Sequence, residues 1–263
     1  FGGIAYFTDL QGQLWKYNLS KNTLDDDNTN LFALNLAFRS EGTLANDRFG
    51  FNQVATTVVQ NDVGDDVSIF NYFGTGDQSR IQRRISSINN RIFGIKDSDF
   101  PGYTLTDTGV GKTTLTSLNI NDEECVTDVT QNWYSDTRTK TSLVPEPKSG
   151  SNDWTKIIGR AGLFKKNVYF SIYRPESKSC PLTGSSQIIQ ISDGCGGVTE
   201  YNVGEGLVTA PVIDNRGNIY AGVSNIPADK SVGGAGVDNI TQLGDGEEAE
   251  GGVDFKSWRE ITY

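Results

Sequence analysis

Residues 4–19, IAYFTDLQGQLWKYNL, hold two short runs rich in aromatic and aliphatic residues on either side of Asp9-Leu-Gln-Gly12. Such runs predict β-strands, and the Asp and Gly between them predict a tight turn. Residues 210–222, APVIDNRGNIYAG, show the same order of strand, Asp/Asn/Gly turn and aromatic strand. The sequence therefore predicts similar hairpins near both ends of the chain.

If residues 210–222 are placed before residues 4–19, the two segments together supply the four strands of one repeat. A repeat of this kind is typical of a quinoprotein-like β-propeller blade, which buries its faces only against neighbouring blades. Blades run to about 40–45 residues, so 263 residues supply roughly five or six. We expect an all-β protein whose residues 1–263 form one domain, an incomplete C-terminal portion of a propeller ring that residues before Phe1 would complete.

Two segments leave the choice between helix and strand open. Residues 31–38 are apolar on all sides, which fits a short helix or a buried strand. Residues 80–91, RIQRRISSINNR, are the other helix candidate, although Ser-Ser and Asn-Asn weaken it. Other aromatic and β-branched runs along the chain predict strands.

Composition excludes several classes of function. The net charge of −10 argues against nucleic acid and anionic lipid as partners, because both carry negative charge. No run of apolar residues is long enough for a membrane-spanning helix. The chain has no His, which removes Ser-His-Asp triads, Cys-His pairs and His-ligated zinc. We therefore expect a protein that is not an enzyme, with no certain cofactor.

The three cysteines lack the spacing of a zinc cluster. Cys180 and Cys195 flank a predicted strand, which favours a disulfide in an oxidising compartment. Separate reduced thiols are the alternative. Beside a Cys180–Cys195 disulfide, Cys125 would be free or paired with a cysteine outside this chain.

Acidic and aromatic residues supply the remaining candidate sites. Among the acidic clusters, Asp25, Asp26, Asp27 and Asn28 are the best candidates for calcium, although they lack the alternating spacing of a calcium loop. Turn-forming Asp residues and a solvated surface explain such clusters more simply. Trp15, Trp133, Trp258 and Arg259 are predicted structural anchors, the Trp residues through packing between sheets and Arg259 through a carboxylate.

Several segments, taken in order, resemble motifs of the PilC/PilY family, the type IV pilus tip adhesins and assembly factors. The first resembles the family's YAGDLxGNLWKFDL, and the others resemble its LF, FGTG, xxYGIWD, GWYLDL, VxFTTxxP…DPC and SWRE. In this chain the segments are residues 4–19, 31–32, 73–76, 91–95, 132–134, 168–181 and 257–262. They are collinear and span the whole chain. Thr8 replaces the family's Gly, and the family's calcium loop would fall upstream of Phe1.

The resemblance implies a non-enzymatic factor for pilus biogenesis, located at the pilus tip or outer membrane of a bacterium after export through the periplasm. It implies minor pilins and pilus tip proteins as partners, and a host or abiotic surface bound through the N-terminal part of the full protein. Surface attachment and twitching motility would depend on it. Two alternatives remain: a quinoprotein-like enzyme, and a periplasmic β-propeller scaffold unrelated to pili.

Overall fold

A computed structural model describes the chain at residues 3–19, 34–39, 49–50, 52–60, 67–84, 90–97, 100, 116–117, 133–136, 155–175, 184–192, 198–224 and 240–244. Every regular element within these residues is a β-strand. The strands in chain order are β1 (Ile4–Thr8), β2 (Leu14–Asn18), β3 (Leu34–Phe38), β4 (Ala55–Gln60), β5 (Val67–Gly74), β6 (Arg91–Asp97), β7 (Thr116–Ser117), β8 (Trp133–Asp136), β9 (Lys156–Phe164), β10 (Asn167–Pro175), β11 (Gly184–Ser192), β12 (Val198–Glu205), β13 (Val212–Ile213), β14 (Ile219–Gly222) and β15 (Ile240–Gly244).

The strands form four sheets, which we number along the chain. Sheet 1 has the order β1-β2-β3, sheet 2 β4-β5-β6-β8-β7, sheet 3 β12-β11-β10-β9 and sheet 4 β13-β14-β15. All pairings are antiparallel except that of the short β7 with β8. Most neighbours within a sheet are also neighbours in sequence, as expected when short turns join the strands.

Burial follows the alternation of side chains along each strand. In β2, Leu14, Lys16 and Asn18 are buried, whereas Trp15 and Tyr17 on the other face are partly exposed. Strand β10, in the middle of the chain, is buried on both faces. Sheet 1 thus packs strongly on one face, while sheet 3 packs on two.

The sheets stack on one another in chain order, and three apolar clusters fill the spaces between them. Leu14 and Phe38 of sheet 1 pack against Phe73 and Phe93 of sheet 2. The largest cluster joins sheets 2 and 3, and a third joins sheets 3 and 4. Members of the second cluster include Tyr72, Ile92, Ile157, Phe170 and Ile189, and members of the third include Tyr169, Ile188, Val203, Ile219 and Ala221.

The all-β prediction is confirmed for the described residues. Residues 34–38 form strand β3, so the strand interpretation of residues 31–38 holds there. The helix interpretation of residues 80–91 is wrong where the structure describes them, because residues 80–82 form a turn and Arg91 begins β6. Within the described part of the chain, no helix has the length and apolar character to cross a membrane.

The sheets agree only in part with the propeller prediction. Among the described residues sheet 3 has the four strands expected of a blade, whereas the others have three, five and three. Among the described residues no sheet closes on itself, and a propeller ring is not shown. The coarse architecture is therefore a series of mostly antiparallel sheets packed face to face.

Candidate binding surface

The predicted site residues fall into two groups. Trp15 lies in β2 and is half-buried, and its indole Nε1 donates a hydrogen bond to Asp9 Oδ2 at 3.0 Å. Trp133 begins β8, where it pairs with Gly94 of β6. The other candidates lie outside the described residues, so the calcium, disulfide and C-terminal anchor interpretations remain predictions for Asp25, Asp26, Asp27, Asn28, Cys180, Cys195, Trp258 and Arg259.

Asp9 organises the turn between β1 and β2. Its Oδ1 accepts hydrogen bonds from the backbone N–H groups of Gln11 and Gln13 at 2.9 and 3.0 Å. Gly12 has a φ of 70°, the left-handed region that glycine adopts at low cost, and its N–H donates to the Asp9 carbonyl. The turn fixes the register in which Thr8 lies opposite Leu14.

Asp214 organises the turn between β13 and β14 in the same way. Its Oδ1 accepts from the N–H groups of Arg216 and Asn218 at 2.9 and 2.8 Å, and Gly217 has a φ of 88°. Hydrogen bonds, first of all from the Asn218 side chain, lower the pKa of the Asp214 carboxyl although desolvation opposes them. Both segments that predicted a repeat therefore build the same local structure.

A buried ion pair joins sheet 1 to sheet 2. Lys16 Nζ lies 2.7 Å from Asp97 Oδ2, and the two side chains are 0% and 1% exposed. The Tyr6 hydroxyl donates a hydrogen bond to the same oxygen at 2.5 Å. Strands β1, β2 and β6 thus meet at one carboxylate, which serves as a structural contact in the core.

The FGTG segment at the end of β5 joins sheet 2 to sheet 3. A Cβ on Gly74 would come within 2.3 Å of Ile157 Cγ2, so only glycine lets β5 approach β9 this closely. The backbone N–H of Ile157 donates to the Thr75 carbonyl at 3.2 Å. The Thr75 hydroxyl accepts from the Arg91 N–H at 2.9 Å.

Residues 77–84, which we call the arginine turn, follow FGTG and extend from the junction of sheets 2 and 3. The buried Asp77 carboxylate accepts hydrogen bonds from Ser79 Oγ at 2.6 Å and from the Arg80 N–H and Nε. Burial raises the pKa of Asp77, but these hydrogen bonds and the Arg80 charge outweigh it and bring the pKa below its ordinary value of 3.8. Asp77 therefore acts as an ionised cap for the turn.

The buried ammonium group of Lys156 holds the backbone of the arginine turn in place. Lys156, at the start of β9, is 4% exposed. Its Nζ donates to the backbone carbonyls of Asp77, Arg80 and Ile81 at 3.2, 2.5 and 2.9 Å. Gln82 Nε2 adds a hydrogen bond to the Tyr173 hydroxyl of β10 at 2.5 Å. Two strands of sheet 3 thus fix the backbone of the turn.

The three arginine side chains of the arginine turn differ in their exposure. The Arg80 side chain is 45% exposed and its guanidinium lies 6.0 Å from the centre of the Phe49 ring. Arg83 is exposed and Arg84 is half-buried. In the described part of the chain, no three acidic or thiol side chains come together as a metal site would require.

The sequence alone did not reveal the arginine turn or Lys156 as a site. The one usable signal was a local turn at Asp77, Ser79 and Arg80. An Asp followed two residues later by a Ser favours such a side-chain turn. Nothing in the sequence around Lys156 indicates that its ammonium reaches carbonyls that lie more than seventy residues away in the chain.

Comparison with known proteins gives one informative match. No family model matches the sequence, and no curated protein matches it either. The structure is similar to the crystal structure of the Pseudomonas aeruginosa PilY1 C-terminal domain, with a TM-score of 0.51 over 92% of this chain. The chain has the fold of that domain. The identity is 13%, so the likeness concerns the fold, and this chain covers 57% of the length of the PilY1 chain.

The likeness to PilY1 agrees with the family resemblance of the sequence at the level of the fold. Two of the resembling segments, residues 4–19 and 73–76, also have defined structural roles. Asp9 caps the first turn, Lys16 and Asp97 form the buried ion pair, and Gly74 permits the contact with β9. These segments therefore occupy positions on which the packing of the sheets depends.

Proposed function

We propose that this chain is a non-enzymatic module of a type IV pilus biogenesis factor and tip-located adhesin. The observation that carries the proposal is the likeness to the PilY1 C-terminal domain over 92% of the chain, combined with family-like motifs in the same order from residue 4 to residue 262. By this proposal the protein is exported through the periplasm and acts at the pilus tip or outer membrane of a bacterium.

We further propose that the four sheets are successive blades of a propeller. Each sheet packs against the next sheet along the chain through an apolar cluster, as blades that bury their faces only against their neighbours would. The first and last of these sheets also contain the same Asp-capped turn, at Asp9 and at Asp214.

The mechanism we propose is binding on a rigid scaffold. Packed sheets hold their connecting turns in fixed positions, and turns on such scaffolds commonly carry recognition. Minor pilins and pilus tip proteins are the proposed partners, and the N-terminal part of the full protein would contact a host or abiotic surface. No catalytic step is needed, in keeping with a sequence that has no His.

Deletion of the coding region in the source bacterium tests the proposal. We expect loss of surface pili in electron micrographs and loss of twitching zones on agar, both restored by the wild-type gene supplied in trans. Affinity purification of the tagged protein should recover minor pilins. Normal pili and twitching after deletion would contradict the proposal and favour a periplasmic scaffold. A stoichiometric absorbance change with pyrroloquinoline quinone would instead favour the quinoprotein-like enzyme.

A further inference from the structure

Strand β4 lies at the edge of sheet 2. Among the described strands it pairs with β5 alone, in one continuous register that runs from Ala55 opposite Tyr72 to Gln60 opposite Val67. An antiparallel strand directs the N–H and C=O groups of alternate residues away from its neighbour. The outer side of β4 therefore presents main-chain donors and acceptors that match a further extended strand.

Most other edge strands in the described part of the chain have features that discourage such pairing. Strands β7 and β13 are two residues long. The pairings of β3, β9, β12 and β15 with their neighbours each contain a register shift. Short strands and bulges are means by which native proteins blunt an edge. Of the described edge strands, β1 and β4 have neither feature, and β4 is the longer of the two.

The side chains of β4 also favour pairing. Residues 49–61 contain no charged residue and no Pro, and β4 itself is rich in β-branched residues. Thr56 and Val58 lie on the same face of the strand and are exposed, Val58 by 61%. Ala55 on the opposite face is buried in the cluster between sheets 2 and 3. An added strand would thus meet accessible β-branched side chains on a strand that the core holds in place.

The charge of the chain decides between a second copy and a different protein as the added strand. Two copies repel each other as whole molecules, because each has a net charge of −10. A contact along one edge of a six-residue strand is small beside the roughly 800 Å² per partner of a stable interface, so it offsets little repulsion. A short uncharged segment of another protein meets no such repulsion.

We propose that β4 binds an extended segment of a partner protein, which pairs with it as a further strand of sheet 2. The segment is about six residues long, has no charge in its centre and is rich in Thr, Val or Ile, whose side chains pack beside Thr56 and Val58. Main-chain hydrogen bonds supply the affinity, and alternate side chains supply the selectivity. The inference concerns this edge alone and requires neither a role in pili nor a closed ring.

A fluorescein-labelled peptide, Lys-Thr-Val-Thr-Val-Thr-Val-Lys, tests the proposal by fluorescence anisotropy with the full chain. We expect saturable binding to the wild-type chain. N-methylation of the four central residues of the peptide should raise Kd at least tenfold, because it removes main-chain donors along both of its edges. Hydrogen exchange read by mass spectrometry should slow in β4 when the unmodified peptide is bound.

A lysine on the exposed face of β4 locates the binding site. Val58→Lys should raise Kd at least fivefold, since a charge at an edge opposes pairing and the apolar contact is lost. Val212→Lys is the matched control, because it makes the same change at a valine that is 66% exposed in β13. Its Kd should stay within twofold of wild type, and both variants should have the wild-type Tm.

Each of four results would overturn the proposal. The first is that the peptide does not bind the folded wild-type chain, and the second is that the N-methylated peptide binds equally well. The third is that Val212→Lys weakens binding as much as Val58→Lys, or that exchange slows in β1 instead of β4. The fourth is that the chain without peptide sediments as a dimer with β4 protected, which would make a second copy the occupant. The two peptides decide the matter on the wild-type chain alone if Val58→Lys lowers the Tm.

Discussion

At the scale of single residues, the contact between Lys16, Asp97 and Tyr6 shows how charge is kept inside the core. Removing two charges from water costs several kcal/mol, and the attraction between them repays this cost only when the geometry is close and hydrogen bonds complete it. Here the ion pair is 2.7 Å long and the Tyr6 hydroxyl adds a second donor to the carboxylate. Removing one partner takes the nearest opposite charge away from a group that stays buried.

We expect Lys16→Met to lower the free energy of unfolding by about 3–5 kcal/mol, as breaking a buried pair does. The double variant Lys16→Met/Asp97→Leu should lose less than the sum of the two single variants, because the two side chains are in direct contact and their opposite charges are removed together. Urea denaturation gives these values, with the exposed Lys166→Met as control. Strict additivity of the two single effects would show that the pair is not coupled.

Asp77 makes stability depend on pH. Its pKa in the folded protein lies below the ordinary value, so folding favours the ionised form. The resulting stability is fully present above the unfolded pKa of about 4 and is lost as the pH falls through the lower folded pKa. Asp77→Asn should therefore be less stable than wild type at pH 7, and the difference should shrink between pH 4 and pH 2. Urea midpoints across this range measure it, and a difference that does not change with pH would contradict the assignment.

The pKa of Glu200 in β12 is shifted in the opposite direction to that of Asp77, so its effect on stability with pH is also opposite. Burial raises the pKa of its carboxyl, and its buried Oε2 has no hydrogen-bond partner within the described structure. The ionised form is therefore unfavourable in the fold, and its cost appears as the pH rises above the ordinary value of 4.5. Glu200→Gln should be more stable than wild type at pH 7 and lose this advantage below pH 4. A variant less stable at pH 7 would show that the carboxylate has a partner.

At the scale of elements, the local signals of the sequence were sufficient for the two hairpins and misleading for the arginine turn. Asp9 and Asp214 each form their turn with residues at most six positions away, so a short stretch of sequence contains every group involved. Residues 80–91 have the composition of a short helix. A helix would use the carbonyls of Asp77, Arg80 and Ile81 for its own N–H groups, but here these carbonyls accept hydrogen bonds from Lys156. A contact with a strand that lies far away in the sequence thus overrides local propensity.

The approach of β5 to β9 depends on Gly74. A methyl group at this position would overlap Ile157, whose side-chain atoms lie 2.3–2.7 Å from the added Cβ. We expect Gly74→Ala to destabilise the protein by about 1–3 kcal/mol through overpacking between sheets 2 and 3. Gly3→Ala, where a Cβ meets nothing within 4 Å, is the control and should leave the thermal midpoint unchanged. If both variants melt like wild type, sheets 2 and 3 are less closely packed than described.

At the scale of the whole molecule, the sequence predicted β-strands in roughly the right places but not how many share a sheet. Strand number depends on pairings such as that of β6 with β8, which brings together segments far apart in the chain. The order of stacking was easier to foresee, because short connections keep consecutive sheets adjacent. Among the described residues, the cluster between sheets 2 and 3, the middle pair of the stack, is the largest.

Position in the stack should set local stability, and this gives the last prediction. Strand β10 has a neighbour on each side, buries Val168 and Phe170 against sheet 2 and buries Tyr169 against sheet 4. Among the described strands, β1 pairs with β2 alone, and its Phe7 is 42% exposed. Regions with few buried contacts open at lower free energy than the core.

Hydrogen exchange read by mass spectrometry should accordingly be slowest in peptides from β10 and β11 and faster in β1. Phe170→Ala should cost about 3–5 kcal/mol, as a large buried aromatic does, and should speed exchange throughout sheets 2 and 3, because both depend on the same cluster. Phe7→Ser, at the partly exposed end of the stack, should change exchange only in sheet 1. If Phe170→Ala left exchange in sheet 2 unchanged, the two middle sheets would be independent units rather than one cooperative core.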